Sequence, residues 1–149
     1  MPIFIERLVD EAVVTERCCQ GIISRVLRDE GFLGYDLTLV LADSRYLRRL
    51  NRRFRGIDRP TDVISFALLE GRPSPAPSRE LGDIYISVPR ARRQARQYRV
   101  TPREEMARLI VHGLLHLLGY DHIKPTQARR MRGREARYLG LCNHFFSAD

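Results

Sequence analysis

The hydrophobic positions change period several times along the chain, and each change marks an element. From about Glu16 to Glu30, Cys19, Ile22, Ile23, Val26 and Leu27 recur at helical spacing, and Gly31 supplies a stop. Asp36 to Ala42 (DLTLVLA) alternates and is rich in β-formers, which predicts a strand. Asp43 or Ser44 can cap the next helix, whose apolar stripe is Tyr46, Leu47, Leu50 and Phe54, with arginines on its other side. Val63 to Leu68 (VISFAL) predicts a further strand, and its uniformly apolar character argues against a place on the sheet edge. Asp83 to Val88 (DIYISV) predicts another, and Pro89 then opens a basic helix whose inner face is Ala91, Ala95 and Tyr98.

Thr101-x-x-Glu104 is a capping box with Pro102 at the first helical position, so a helix runs from there to Leu118 and ends at Gly119. A final helix spans about Thr126 to Leu139, with Ala128, Met131 and Tyr138 on one side, while residues 2–5 (PIFI) suit an edge strand. The strands come β-α-β-α-β-β, so one pair lacks a helical crossover. The expectation is an α/β fold: one domain over residues 1–149, an α/β/α sandwich around a mixed sheet of about four strands. Glu70 to Glu80 (EGRPSPAPSRE) is expected to be a mobile loop, and residues 140–149 a frayed tail.

Composition narrows the class. With 44% hydrophobic and 30% charged residues the chain is globular rather than disordered or fibrous. Its first residues include Glu6, Asp10 and Glu11 and do not form a secretory signal. The longest apolar run, Leu109 to Tyr120, is broken by His112 and His116 and falls short of the roughly 18 residues of a membrane span. A cytoplasmic protein without membrane contact is expected. Cys18, Cys19 and Cys142 make a poor disulfide framework and are read as reduced. A net charge of +8 and a pI near 10.1, almost wholly from arginine, suggest a polyanionic partner, nucleic acid first. The bland alternative is a solvated arginine surface.

The chemistry concentrates in H-G-L-L-H-L-L-G-Y-D-H. His112 and His116 lie four residues apart on one helical face, and His122 follows the turn at Gly119. Two unpaired imidazoles in so apolar a helix would cost on the order of 1–3 kcal/mol each, which favours a metal over coincidence. Three protein ligands leave a coordination position open, as catalytic sites do. Three nitrogens suit zinc, nickel, copper or iron, with Zn2+ the first expectation. The interval is shared with a group of zinc proteases, but those carry glutamate directly after the first histidine. Gly113 stands there, so a peptidase of that kind lacks its base.

Residues 112 to 122 also match throughout the hallmark H-G-x-L-H-L-x-G-Y-D-H of the YbeY-type endoribonucleases, bacterial rRNA maturation factors. Further blocks resemble that family: Leu50-Asn51, Phe54-Arg55 in place of its Tyr-Arg, Asp58, Pro60 to Phe66, Leu81 to Ile84, and Met131 with Glu135. The resemblance implies an α/β/α sandwich and one metal ion, generally zinc, on His112, His116 and His122. It also implies cleavage of single-stranded RNA, with 16S rRNA and the small ribosomal subunit as partners and DNA excluded. Those activities serve 16S rRNA 3′-end maturation and ribosome quality control, and the family's important arginine falls on Arg55.

Arg55 suits that role, since a guanidinium can meet two phosphoryl oxygens as negative charge builds on them. Asp121 and Glu135 are candidates to orient a ligating imidazole. Thr61, Asp62 and Ser65 are assigned no chemistry. Lys124 and the arginines at 129, 130, 132, 134 and 137 make the segment after the histidines more basic than is usual in the family. Two competing readings are a non-catalytic ribosome-assembly factor with a stabilising metal, and another metal-dependent hydrolase.

Overall fold

The computed structural model describes residues 3–10, 13–68, 79–120 and 123–146, the last six of these by backbone alone. In chain order the elements are β1 (Ile3–Arg7), α1 (Glu16–Asp29), β2 (Asp36–Ala42), α2 (Ser44–Arg55), β3 (Val63–Ala67) and β4 (Glu80–Ser87). Three helices follow: α3 (Val88–Tyr98), α4 (Pro102–Leu117) and α5 (Pro125–Phe146). Four helices begin on a side-chain oxygen that accepts an otherwise unpaired amide. Thr15 takes Cys18 N at 3.0 Å, Asp43 takes Tyr46 N at 2.8 Å, Ser87 takes Arg90 N at 3.3 Å and Thr101 takes Glu104 N at 3.2 Å.

The sheet runs β1-β2-β4-β3, with the first three strands parallel and β3 antiparallel to β4. Alternation along the strands sorts side chains into two layers. Ile5, Leu39, Ile84 and Ser65 share a row on the face covered by α1 and α4, where the main core lies. Ile22, Ile23, Leu39, Ile84, Ile110 and Leu114 are all inaccessible there. Each such burial stabilises by about 1.5–3 kcal/mol against chain entropy. The opposite face carries a smaller cluster of Val40, Ala42, Leu47 and Ile64 under α2. The α/β/α sandwich with a four-stranded mixed sheet is therefore present, its layers unequal.

Two expectations need correction. The β3 strand lies on the edge, although its sequence argued for the interior. Its apolar residues have helices over both faces, α4 on one and α2 on the other, and an edge strand covered in that way needs no polar side. The β4 strand begins at Glu80 rather than Asp83, because Leu81 is the extra residue of a bulge opposite Asp36 and Leu37. The α5 helix continues through Phe146, and residues 147–149 of the expected frayed tail lie outside the described residues. Neither Gly133 nor Gly140 takes a positive φ, and an interior glycine costs a helix only about 1 kcal/mol. Residues 69–78 of the expected mobile loop lie outside the described residues. Cys18 and Cys19 are buried in α1, neither of them in a disulfide. Among the described residues no helix is long and apolar enough to cross a membrane.

Candidate active site

Packing forces α4 against the sheet at one position. A β-carbon at Gly113 would lie 2.8 Å from Ile84 Cγ2 and 3.1 Å from Ser65 Oγ. Glycine is what allows the approach, and the Ser65 hydroxyl then donates to the Gly113 carbonyl at 3.2 Å. The residue that separates this chain from the proteases is thus excluded from being glutamate by shape as well as by chemistry. A second tight point is Gly82, at φ 135°, where a β-carbon would fall 1.9 Å from the Phe66 carbonyl oxygen. Together they bring the histidine helix down onto the β3–β4 hairpin.

His112 and His116 emerge from this contact half-buried, with their Nε2 atoms 3.1 Å apart. Two nitrogens on one tetrahedral zinc, each about 2.0–2.1 Å from it, stand roughly 3.3–3.4 Å from one another. The His112 Nδ1–H donates to Glu135 Oε1 on α5 at 2.5 Å, since an ionised carboxylate only accepts. That bond sets the proton on Nδ1 and turns a lone pair on Nε2 toward His116. The donor set therefore fits a transition-metal ion. Glu135 contacts the far nitrogen and does not itself point into the pair. Among the described residues no three potential ligands cluster, and His122, the expected third, lies outside them, as does Asp121.

Arg55, the last residue of α2, joins the histidines in one cleft of about 250 Å³ that Asp62, Val63, Ser65 and Ala67 complete. Gly56 ends α2 at φ 70°, and buried Asn51 holds the following loop by donating to the Arg59 carbonyl at 2.9 Å. Asp62 is fixed as well. It accepts from Val63 N at 2.8 Å and from Gln94 Nε2 at 3.0 Å, and Gln94 reaches on to the buried Glu105, 3.2 Å away. Glu105 accepts from Arg108 twice, at 2.8 and 2.7 Å. Asp62 and Ser65 were given no chemistry from sequence, yet both line the cleft. The signal was in their block: Ser65 alternates onto the α4 face while Ile64 and Phe66 face α2.

On the other side of α4, Tyr120 and Tyr138 each donate to Glu30 at 2.6 Å, tying the turn ahead of residue 121 to α1 and α5. Burial and this hydrogen bond push the Tyr120 phenol above its ordinary value. Arg134 and Arg137 approach Glu30 and Asp29 at 3.7 and 3.9 Å, so part of the basic row on α5 answers charges within the chain.

Known proteins resemble this chain along nearly its whole length. The family model described as Endoribonuclease YbeY matches residues 6–143. The chain is similar to Endoribonuclease YbeY of Pelotomaculum thermopropionicum, 41% identical over 150 aligned positions covering 96% of this chain and 98% of that protein. It is 39% identical to the Endoribonuclease YbeY of Desulforamulus reducens, across 93% of this chain and 95% of that one. The solution structure of TM1509 from Thermotoga maritima superposes with a TM-score of 0.71 at 25% identity, covering 98% of this chain and 92% of the other.

Proposed function

The chain belongs to the YbeY endoribonuclease family, and we propose that it is a zinc-dependent endoribonuclease that cleaves single-stranded RNA in maturing the 3′ end of 16S rRNA. Ribosome quality control, a small-subunit partner and a cytoplasmic location belong to the same reading. One observation carries it: Arg55 shares a cleft with two imidazoles whose Nε2 atoms converge to 3.1 Å.

His112, His116 and His122 would hold the ion, which supplies Lewis acidity at the reacting phosphate. Arg55 binds two non-bridging phosphoryl oxygens and meets the charge that grows on them as the phosphodiester is attacked. Glu135 keeps His112 in one tautomer and one orientation. Asp62, with its carboxylate held by Val63 N and Gln94, and Ser65, anchored to α4, form the wall of the cleft against which the phosphate enters. The excess of arginine draws the polyanion in from solution.

The test is cleavage of end-labelled single-stranded RNA by wild type, His116→Ala and Arg55→Ala, with metal content measured by elemental analysis. Wild type should cleave and carry about one transition-metal ion per chain. His116→Ala should lose both, whereas Arg55→Ala should keep the metal and lose at least about 100-fold in rate. A folded, metal-loaded Arg55→Ala that cleaves like wild type removes Arg55 from the chemistry. A fully loaded wild type that binds the small subunit without cleaving RNA selects the assembly-factor reading.

A further inference from the structure

Immediately before Arg55, the last turn of α2 carries a phenyl ring that the fold leaves open. Phe54 is 58% exposed, beside a cleft and amid charge. It is not a loose side chain. Its ring meets Phe66 edge to face with centroids 5.2 Å apart, Phe66 meets Tyr85 at 5.7 Å, and Tyr85 stacks on Tyr46 at 6.1 Å. The last three are half-buried on the α2 side of the sheet, so a ladder of four rings ends in one exposed rung. Guanidinium groups lie over one face of two of these rings, Phe54 included. Arg53 lies 5.3 Å from the Phe54 centroid and Arg49 lies 5.7 Å from that of Tyr46.

What could cover this rung is limited by its surroundings. A second copy of this chain would bring further arginines against Arg49, Arg52 and Arg53, all exposed on α2. An apolar peptide would strip water from the same guanidinium groups without offering them a partner. A planar group with an apolar face, joined to a polyanion, satisfies both the ring and the charge. Nucleobases on a ribose-phosphate chain have that chemistry.

We propose that Phe54 is a substrate-binding residue, stacking on the base of the nucleotide next to the phosphate held by Arg55. The inference rests on the reading of the cleft as the RNA-cleaving site. Consecutive residues on a helix diverge by about 100°, so Arg55 enters the cleft while Phe54 stays on the α2 side. Between them runs β3, an edge strand whose Ser65 and Ala67 line the cleft and whose Phe66 supports Phe54. The RNA therefore bends around the outer edge of β3, with the phosphate on one side and the base on the other. A base inside a duplex is already stacked on its neighbours and cannot make this contact, so single-strand preference follows from Phe54 itself. Every base has a π-face, so the contact reads strandedness and not sequence.

The experiment reads binding rather than cleavage. Metal-loaded wild type, Phe54→Ala, Phe54→Leu and Phe54→Trp are titrated by anisotropy into a fluorescein-labelled oligoadenylate of about twelve nucleotides, checked intact by gel. A ribose-phosphate oligomer of equal length without bases is the second probe. Leucine keeps the apolar bulk that packs on Phe66 and removes the ring. Phe54→Ala and Phe54→Leu should bind the oligoadenylate about tenfold more weakly, with Phe54→Trp restoring affinity. All four should bind the base-free oligomer weakly and alike, with the same dependence on salt, because Phe54 touches no phosphate.

Wild-type affinity in Phe54→Leu, or an equal loss on the base-free oligomer, overturns the proposal. So does a requirement for Phe54 that appears only when ribosomal proteins are present, which assigns the ring to a protein partner. Absence of cleavage by wild type, with ring-dependent binding intact, sinks the nuclease reading alone. Normal cleavage with ring-independent binding sinks the stacking alone.

Discussion

His112 and Glu135 meet at 2.5 Å across the α4–α5 contact, although 23 positions separate them in sequence. Neither group belongs to the other's helix, so the aim of the imidazole depends on how α5 docks. On the proposed zinc site, Glu135→Ala should lower affinity for the ion by about 10- to 100-fold, the usual effect of removing a carboxylate behind a ligating histidine. Glu135→Gln can still accept from Nδ1 and should fall between. Competition against a chromophoric chelator measures both, and unchanged affinity in a folded Glu135→Ala would show that α5 does not orient the site.

Gly113 and Gly82 fail differently when they gain a side chain. At Gly113 the obstruction is the Ile84 side chain at 2.8 Å, and alanine also brings better helix propensity. Gly113→Ala should therefore cost only on the order of 1–2 kcal/mol. Gly82→Ala meets a backbone oxygen at 1.9 Å from a left-handed φ of 135°, so it should cost on the order of 3 kcal/mol or more. Urea denaturation of the pair tests the order. Gly113→Glu, which installs the protease residue, should yield unstable protein and no peptidase activity.

Glu105 is 1% exposed and depends on Arg108 for its charge compensation. Arg108→Met should destabilise by on the order of 2–3 kcal/mol, because it strips a buried carboxylate of the guanidinium that neutralises it and leaves it the Gln94 amide. Adding Glu105→Gln should recover much of that loss. If Arg108→Met melts in urea with the wild-type midpoint, the carboxylate is compensated elsewhere.

Alkaline stability follows from α1. Burial, and then the neighbouring Cys18, push the Cys19 thiol from 9.0 up to about 12. The folded chain therefore holds a proton that the unfolded chain gives up. This stabilisation is complete below pH 9 and is lost as pH rises from there toward 12. Burial and Glu30 raise Tyr138 in the same direction. Urea midpoints should be flat up to about pH 9 and correspond to a loss on the order of 1–2 kcal/mol by about pH 10.5. At neutral pH Cys19 should also resist alkylation until the protein unfolds.

The elements most legible in the sequence were those whose ends carry their own chemistry. Thr101, Pro102 and Gly119 bracket α4 because capping and helix termination are local. The β3 strand misled, because apolar alternation reports how many faces are covered and says nothing of lateral neighbours. At the site, the four-residue interval of His112 and His116 was readable from helical geometry alone. Arg55 was one exposed arginine among several, and only the family resemblance singled it out. Asp62 and Ser65 were hidden because their importance comes from a 3.0 Å contact to Gln94 and a 3.2 Å contact to Gly113, both distant in sequence. Glu135 was legible as a type of partner, a carboxylate in the following helix, but its choice of His112 needed the packed structure.

The Glu30 carboxylate binds one tyrosine from the turn after α4 and one from α5. One acidic group at the end of α1 therefore clamps the chain on both sides, in sequence, of residues 121–124, so a substitution at Glu30 loosens the approaches to that segment from α4 and from α5 at once.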